Sequence, residues 1–110
     1  MKKNLLAFKL VTLGLGIQLS FTAAGDGKSD YDTKCSACHG FGVAGAPRLD
    51  DAEDWASRLA KGKDQLYENA IKGFIGELGV MPAKGGFADL SDEKVKAVVD
   101  YMVETVQSNN

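Results

Sequence analysis

The sequence has no internal repeat and no low-complexity run, and at 110 residues it is one domain at most. It lacks a hydrophobic run long enough to cross a bilayer. The apolar stretch between Lys9 and Ala24 is 15 residues, whereas a spanning helix needs about 20. No segment alternates apolar and polar residues over a strand length, so a sheet-based fold is not indicated. Basic charge is not in excess either. With 13 basic and 15 acidic residues the formal net charge is −2, which argues against a nucleic-acid partner. There are only two cysteines and one histidine in the whole chain.

The N-terminus has a recognisable layout. Lys2, Lys3 and Lys9 precede the apolar run with no acid among them, and small residues follow in "TAAG". That is the order of a secretory signal. Cleavage is expected after Ala24, leaving residues 25–110 as the working domain of 86 residues. Loss of the three lysines takes the net charge from −2 to −5. The expected destination is the periplasm, and an uncleaved membrane anchor is the disfavoured alternative.

Both cysteines and the histidine fall in "CSACHG", from Cys35 to Gly40. In an oxidising compartment two cysteines suggest a disulfide or a thiol–disulfide redox pair. A redox pair expects a βαβ setting, which is missing. The residue after the second cysteine decides: C-x-x-C-H is the attachment signal of a c-type haem. Each thiol adds across a vinyl group to form a thioether. On a helical turn Cys35 and Cys38 share a face, and His39 follows, placed to reach the iron. One covalent haem c also helps a chain this small, whose core alone would be marginal.

The second axial ligand is less directly written. No second histidine exists, which excludes bis-histidine ligation. Met102 lies in "SDEKVKAVVDYMVETV", where Val95, Val98, Val99, Met102 and Val106 recur at helical spacing; it reads as core. Met81 lies in "GELGVMPAKGG", broken by glycines and Pro82. A helix does not run through such a stretch, and the proline restricts Met81 to extended backbone. Met81 is the candidate ligand, with an open site or a lysine as alternatives.

The remaining segments read as helical scaffold. "DGKSDYDTKC" is a short helix with Asp26 or Ser29 as possible caps, and Gly27, Tyr31 and Cys35 share one face. "GFGVAGAP" is a loop. "DDAEDWASRLAKG" and "KDQLYENAIKG" are helices stopped by Gly62 and Gly73. Ser91 caps the last helix, with Asp92 and Glu93 suited to its positive end. The fold class is therefore all-α, four or five short helices around one haem.

With these residues in hand, the chain resembles the class I monohaem cytochromes c, most closely the bacterial cytochrome c5 group. "YDTKCSACHGFGVAGAPRL", Trp55 and "GVMPAKGGFADLSDEKVKAVVDYM" carry the resemblance across the expected mature chain. It implies that Gly27 and Tyr31 pack against Val98 and Tyr101. It implies a hydrogen bond from the His39 ring to the Pro47 carbonyl, and Trp55 and Arg58 near the haem propionates. For Trp55 a plain core position is the alternative, and for Arg58 a solvated one. Similar proteins often carry a cysteine pair after the ligand methionine. Phe87 and Leu90 stand there instead, and packing is expected to replace the disulfide.

The expected function is one-electron transfer between membrane donors and terminal reductases or oxidases. An iron closed by His39 and Met81 has no site for substrate, so the chain is not expected to be an enzyme. Methionine ligation and a low-dielectric pocket would raise the potential. Ala37, Val43, Ala44, Ala46, Pro82 and Ala83 are expected to rim the haem edge as a small patch for transient docking. A monomer or weak dimer is expected. The alternatives are a small peroxidase or gas sensor with an open iron, and an electron-entry module of a larger complex. No extension beyond the haem domain is read, which favours a free carrier.

Overall fold

A computed structural model describes residues 14–17 and 24–110. Most of the expected signal segment lies outside the described residues; within it, Leu15 and Ile17 are exposed. No helix among the described residues is long and apolar enough to cross a membrane.

The chain is dominated by helices. Helix α1 (Ala24–Asp30) continues through a π-helical turn at Tyr31–Cys35 into α2 (Ser36–His39). It begins upstream of Asp26 and Ser29, so neither of those residues is its N-cap. In the widened turn the Ser36 hydroxyl donates to the Asp32 carbonyl at 2.7 Å, back-bonding of a kind that bends helices. A tight turn at Val43–Gly45 follows, then α3 (Ala52–Leu59) and α4 (Lys63–Lys72). Asp51 caps α3 by accepting the Asp54 N–H at 3.0 Å. Gly62 and Gly73 bracket α4 with φ of +87° and +88°, backbone that a β-carbon would strain. Helix α5 (Asp92–Ser108) closes the fold, and Ser91 caps it by accepting the Lys94 N–H at 3.2 Å.

One element departs from the all-helical expectation without changing the class. Strands β1 (Phe74–Ile75) and β2 (Val80–Met81) form a two-residue antiparallel ribbon, pairing Phe74 with Met81 and Ile75 with Val80. The segment read as a loop around Met81 is thus pinned by a ladder.

Helix α5 organises the core with two stripes. Val98, Met102 and Val106 pack with Tyr31, Leu49 and Trp55. Val95, Val99 and Val103 pack with Ala70 and Leu90. Spacing by four within each stripe aligns the side chains along the helix. Tyr67 ties α4 to α5, its hydroxyl donating to Asp100 Oδ1 at 2.5 Å, where Lys63 also lies at 3.0 Å. The loop before α5 is held by Leu90, 6 % exposed, but Phe87 is 37 % exposed. Packing in place of a disulfide thus falls mainly to Leu90, which is buried in the core, while Phe87 is more than a third open to water.

Helix α1 meets α5 through Gly27. A β-carbon there would lie 2.3 Å from the Ala97 carbonyl oxygen and 3.4 Å from Tyr101 Cβ. Tyr31, one turn on, packs against Tyr101 in a tilted pair with ring centroids 5.3 Å apart. Gly27→Ala should therefore lower stability by about 1–2 kcal/mol. Overpacking against backbone costs about 1–3 kcal/mol, partly offset by the better helix propensity of alanine. A denaturation midpoint raised by the substitution, as at an exposed helix glycine, would show that the helices do not touch there.

Candidate functional site

An apolar cleft lies between α5 and the segments carrying Cys35, His39 and Met81. Ala70, Leu90, Val95, Val98, Val99 and Met102 form its walls, and Lys84 and Gly85 complete them. The three residue types suited to hold a c-type haem thus reach one cavity from distant parts of the chain. Cys35 comes from the π-helical turn, His39 from the end of α2 and Met81 from β2.

His39 is buried, and its Nδ1 lies 2.9 Å from the Pro47 carbonyl oxygen. A carbonyl only accepts, so Nδ1 carries the proton and the lone pair is left on Nε2. Burial pushes the imidazole below the usual histidine range; the Pro47 carbonyl opposes this and Arg58 reinforces it. A neutral ring of fixed tautomer is what a metal-ligating histidine requires. Pro47 is brought back to His39 by the tight turn at Val43–Gly45, and the Leu49 N–H donates to the His39 carbonyl at 3.3 Å. Burial likewise pushes the Cys35 thiol up, with Asp30 adding to the shift. A thiol raised this way is a poor redox thiolate. Cys38 is exposed.

Met81 is half-buried and packs against the Ala70–Leu90–Val95 cluster. Its placement depends on Gly73, whose missing β-carbon would sit 3.0 Å from both the Met81 carbonyl oxygen and the Ala83 nitrogen. Met102 is a core residue, as its spacing implies, but it also lines the cleft. The helical pattern marks a buried face and cannot say that part of this face is a cofactor wall.

Trp55 and Arg58 are not among the cleft-lining residues. The Trp55 indole N–H donates to the Arg48 carbonyl at 2.9 Å, and the ring sits in the core. Arg58 Nη1 pairs with Asp54 Oδ1 at 2.6 Å. A propionate contact for either rests on the resemblance alone.

The exposed apolar surface extends beyond the small residues expected. Val43, Ala44, Ala37, Pro82 and Ala83 are exposed and Ala46 is half-buried, and Phe41, Ile75, Leu78 and Val80 are large apolar side chains open to water. The ribbon joins this surface to the histidine side through two glycines. A β-carbon on Gly45 would lie 2.0 Å from the Leu78 carbonyl oxygen, and one on Gly79 would lie 1.8 Å from that of Ala44. Exposed hydrophobes in a hairpin tip leave no signal in sequence alone, because the strands are too short to show a period.

A small helical domain with a C-x-x-C-H turn, a buried neutral histidine and a methionine in one apolar cleft has the form of a haem-attachment domain. The donor set fits a c-type haem: two thiols for the thioethers, and an imidazole and a thioether for the iron. Comparison with known proteins agrees. A family model described as cytochrome c oxidase, cbb3-type, subunit III, matches residues 22–102. Cytochrome c-555 of Chlorobaculum tepidum is 48 % identical over 80 residues, covering 73 % of this chain and 74 % of that protein. Cytochrome c5 of Ectopseudomonas mendocina is 39 % identical over 70 residues, covering 62 % and 76 %. A chain in the crystal structure of an electron-transfer complex of nitrite reductase with cytochrome c superposes with a TM-score of 0.65. It is 35 % identical, over 74 % of this chain and 95 % of that one. The chain belongs to the class I monohaem cytochromes c, related to cytochrome c5, and carries one covalent haem c at Cys35 and Cys38.

Proposed function

We propose that the protein is a periplasmic one-electron carrier, exported with removal of residues 1–24, in which His39 and Met81 are the axial ligands. The observation that carries this reading is the convergence of Cys35, His39 and Met81 on one apolar cleft, with His39 held neutral by Pro47. When bound, the haem supplies a one-electron couple at its iron. The residues of the chain hold and insulate it. Cys35 and Cys38 attach it, Pro47 orients His39, and the α5 valines keep water from the cleft.

His39 and Met81 would both hold the iron, which would leave no open position for a substrate, and the protein acts as a carrier and not as an enzyme. Electrons pass at the exposed edge, through brief docking of partner proteins on the apolar surface around Val43, Ala44 and Pro82. The structural neighbour from the nitrite reductase complex supports redox docking of this kind. A patch of a few apolar side chains suits weak encounters, which bury under ~1,200 Å². Net charge of −5 after signal removal gives a basic partner surface the advantage.

The test is one pair of optical spectra, oxidised and reduced, of the purified protein. Low-spin bands of a c-type haem with a sulfur-to-iron charge-transfer band in the oxidised form are expected. A high-spin oxidised spectrum would move the reading to a peroxidase or gas sensor.

A further inference from the structure

Lys84 occupies a position where lysine is strained. Its φ is +54°, in the left-handed region, next to Gly85 at +63°. A β-carbon is unfavourable there and glycine is not. The side chain is nonetheless drawn in, only 21 % exposed, and it is the one charged side chain lining the cleft among the described residues. Its Nζ donates to the Leu90 carbonyl oxygen at 2.6 Å and lies 3.1 Å from Asp92 Oδ1.

These contacts join two separate parts of the site. Lys84 belongs to the tight turn Ala83–Gly86, directly after Met81 and Pro82. Leu90 is buried against the Met81 cluster, and Asp92 opens the first turn of α5 behind the Ser91 cap. The ammonium therefore ties the Met81 loop to the entrance of the helix that walls the cleft. The bond to the Leu90 carbonyl is charge-assisted and made by a largely buried ammonium, which makes it stronger than an exposed ion pair. The Asp92 carboxylate, itself exposed, adds a weaker attraction.

We propose that Lys84 is a positioning residue that keeps Met81 seated. By clasping Leu90 and Asp92 it sets how often the Met81 loop swings out and admits an outside ligand to the cleft. This rests on Met81 as the axial ligand, and the test separates the two ideas.

The experiment follows cyanide binding to the oxidised holoprotein at saturating cyanide, where loop opening limits the rate. Lys84→Gly removes the clasp and relieves the positive φ together. Glycine also loosens the loop, so Lys84→Met, which keeps a β-carbon at the positive φ and removes only the ammonium, is run beside it. Backbone freedom alone predicts acceleration in Lys84→Gly and none in Lys84→Met, whereas the clasp predicts it in both. The clasp predicts a limiting rate about tenfold faster, with the sulfur-to-iron band still present at rest. Asp92→Asn, which leaves the loop sequence untouched, should accelerate binding by a smaller factor. Added to Lys84→Gly it should give no further change, since the two act through one contact. A limiting rate within twofold of native in Lys84→Met would overturn the clasp. Met81→Ala supplies the control. If it binds cyanide without a limiting plateau while the Lys84 and Asp92 variants keep the native plateau, only the clasp is wrong. If native protein and Met81→Ala both bind without a plateau, the ligand assignment is wrong and the clasp with it.

Discussion

Replacing Cys35 or Cys38 with alanine is expected to cut the yield of haem-bearing protein by at least about tenfold. The reason is structural as much as chemical. Val95, Val98, Val99, Met102, Ala70 and Leu90 all line the cleft, so without the macrocycle one side of the main helix loses its partner. The Tyr31, Leu49, Trp55 and Val106 cluster would remain, but in a domain of only 86 residues the cleft wall is a large share of the burial that holds the fold. Losing one thioether leaves the haem held by a single bond and by axial ligation, and chains that fail to attach it do not reach a stable fold. Haem that stays with the polypeptide after acid–organic extraction measures the effect. Native protein should retain all of it. Free Cys35 and Cys38 thiols titrating in purified oxidised native protein would contradict covalent attachment.

Met81→Ala is expected to abolish the sulfur-to-iron charge-transfer band and to open the sixth position, so that reduced protein binds carbon monoxide rapidly. Met102→Leu should keep the band. Met102 lines the same cleft, so the comparison is a strict one between two methionines of a single cavity. They differ in backbone. Met102 projects from the middle of α5 and packs with Val98 and Val106. Met81 lies in β2 directly before Pro82, with its loop fixed by Gly73 and Lys84. For a volume-conserving swap the loss of stability at Met102 should stay below about 1.5 kcal/mol. Loss of the band in Met102→Leu, with retention in Met81→Ala, would reverse the assignment.

Much of this was legible in the sequence because it depends on local chemistry. The Ser91 cap, the stop at Gly73 and the valine stripe of α5 each follow from backbone preference or helical period, and each is present. Gly62, expected to stop α3, instead precedes α4, because α3 already ends at Leu59. The C-x-x-C-H turn is legible for the same reason: its chemistry lies within five residues. What was not legible depends on contacts between distant segments. The ribbon at Phe74–Ile75 and Val80–Met81 is two residues per strand, too short to carry a period. Nothing in the sequence marks Lys84 as a clasp; only its φ and its bond to the Leu90 carbonyl set it apart. The expected caps Asp26 and Ser29 do not cap because the helix starts earlier. Phe87 and Leu90 look alike in sequence, yet only Leu90 joins the buried cluster of α5, because which apolar loop residue is buried is set by contacts with distant segments.

The most direct test of the central claim, a closed-iron electron carrier, is stopped-flow mixing of the native protein with peroxide beside mixing with a small redox dye. Electron exchange at the haem edge needs no vacant coordination position, whereas peroxide chemistry does. With His39 and Met81 both in place, electron exchange with the dye should be complete within milliseconds to seconds while peroxide leaves the spectrum nearly unchanged over minutes. Rapid turnover of peroxide by the untreated protein would contradict the closed iron and make the protein an enzyme.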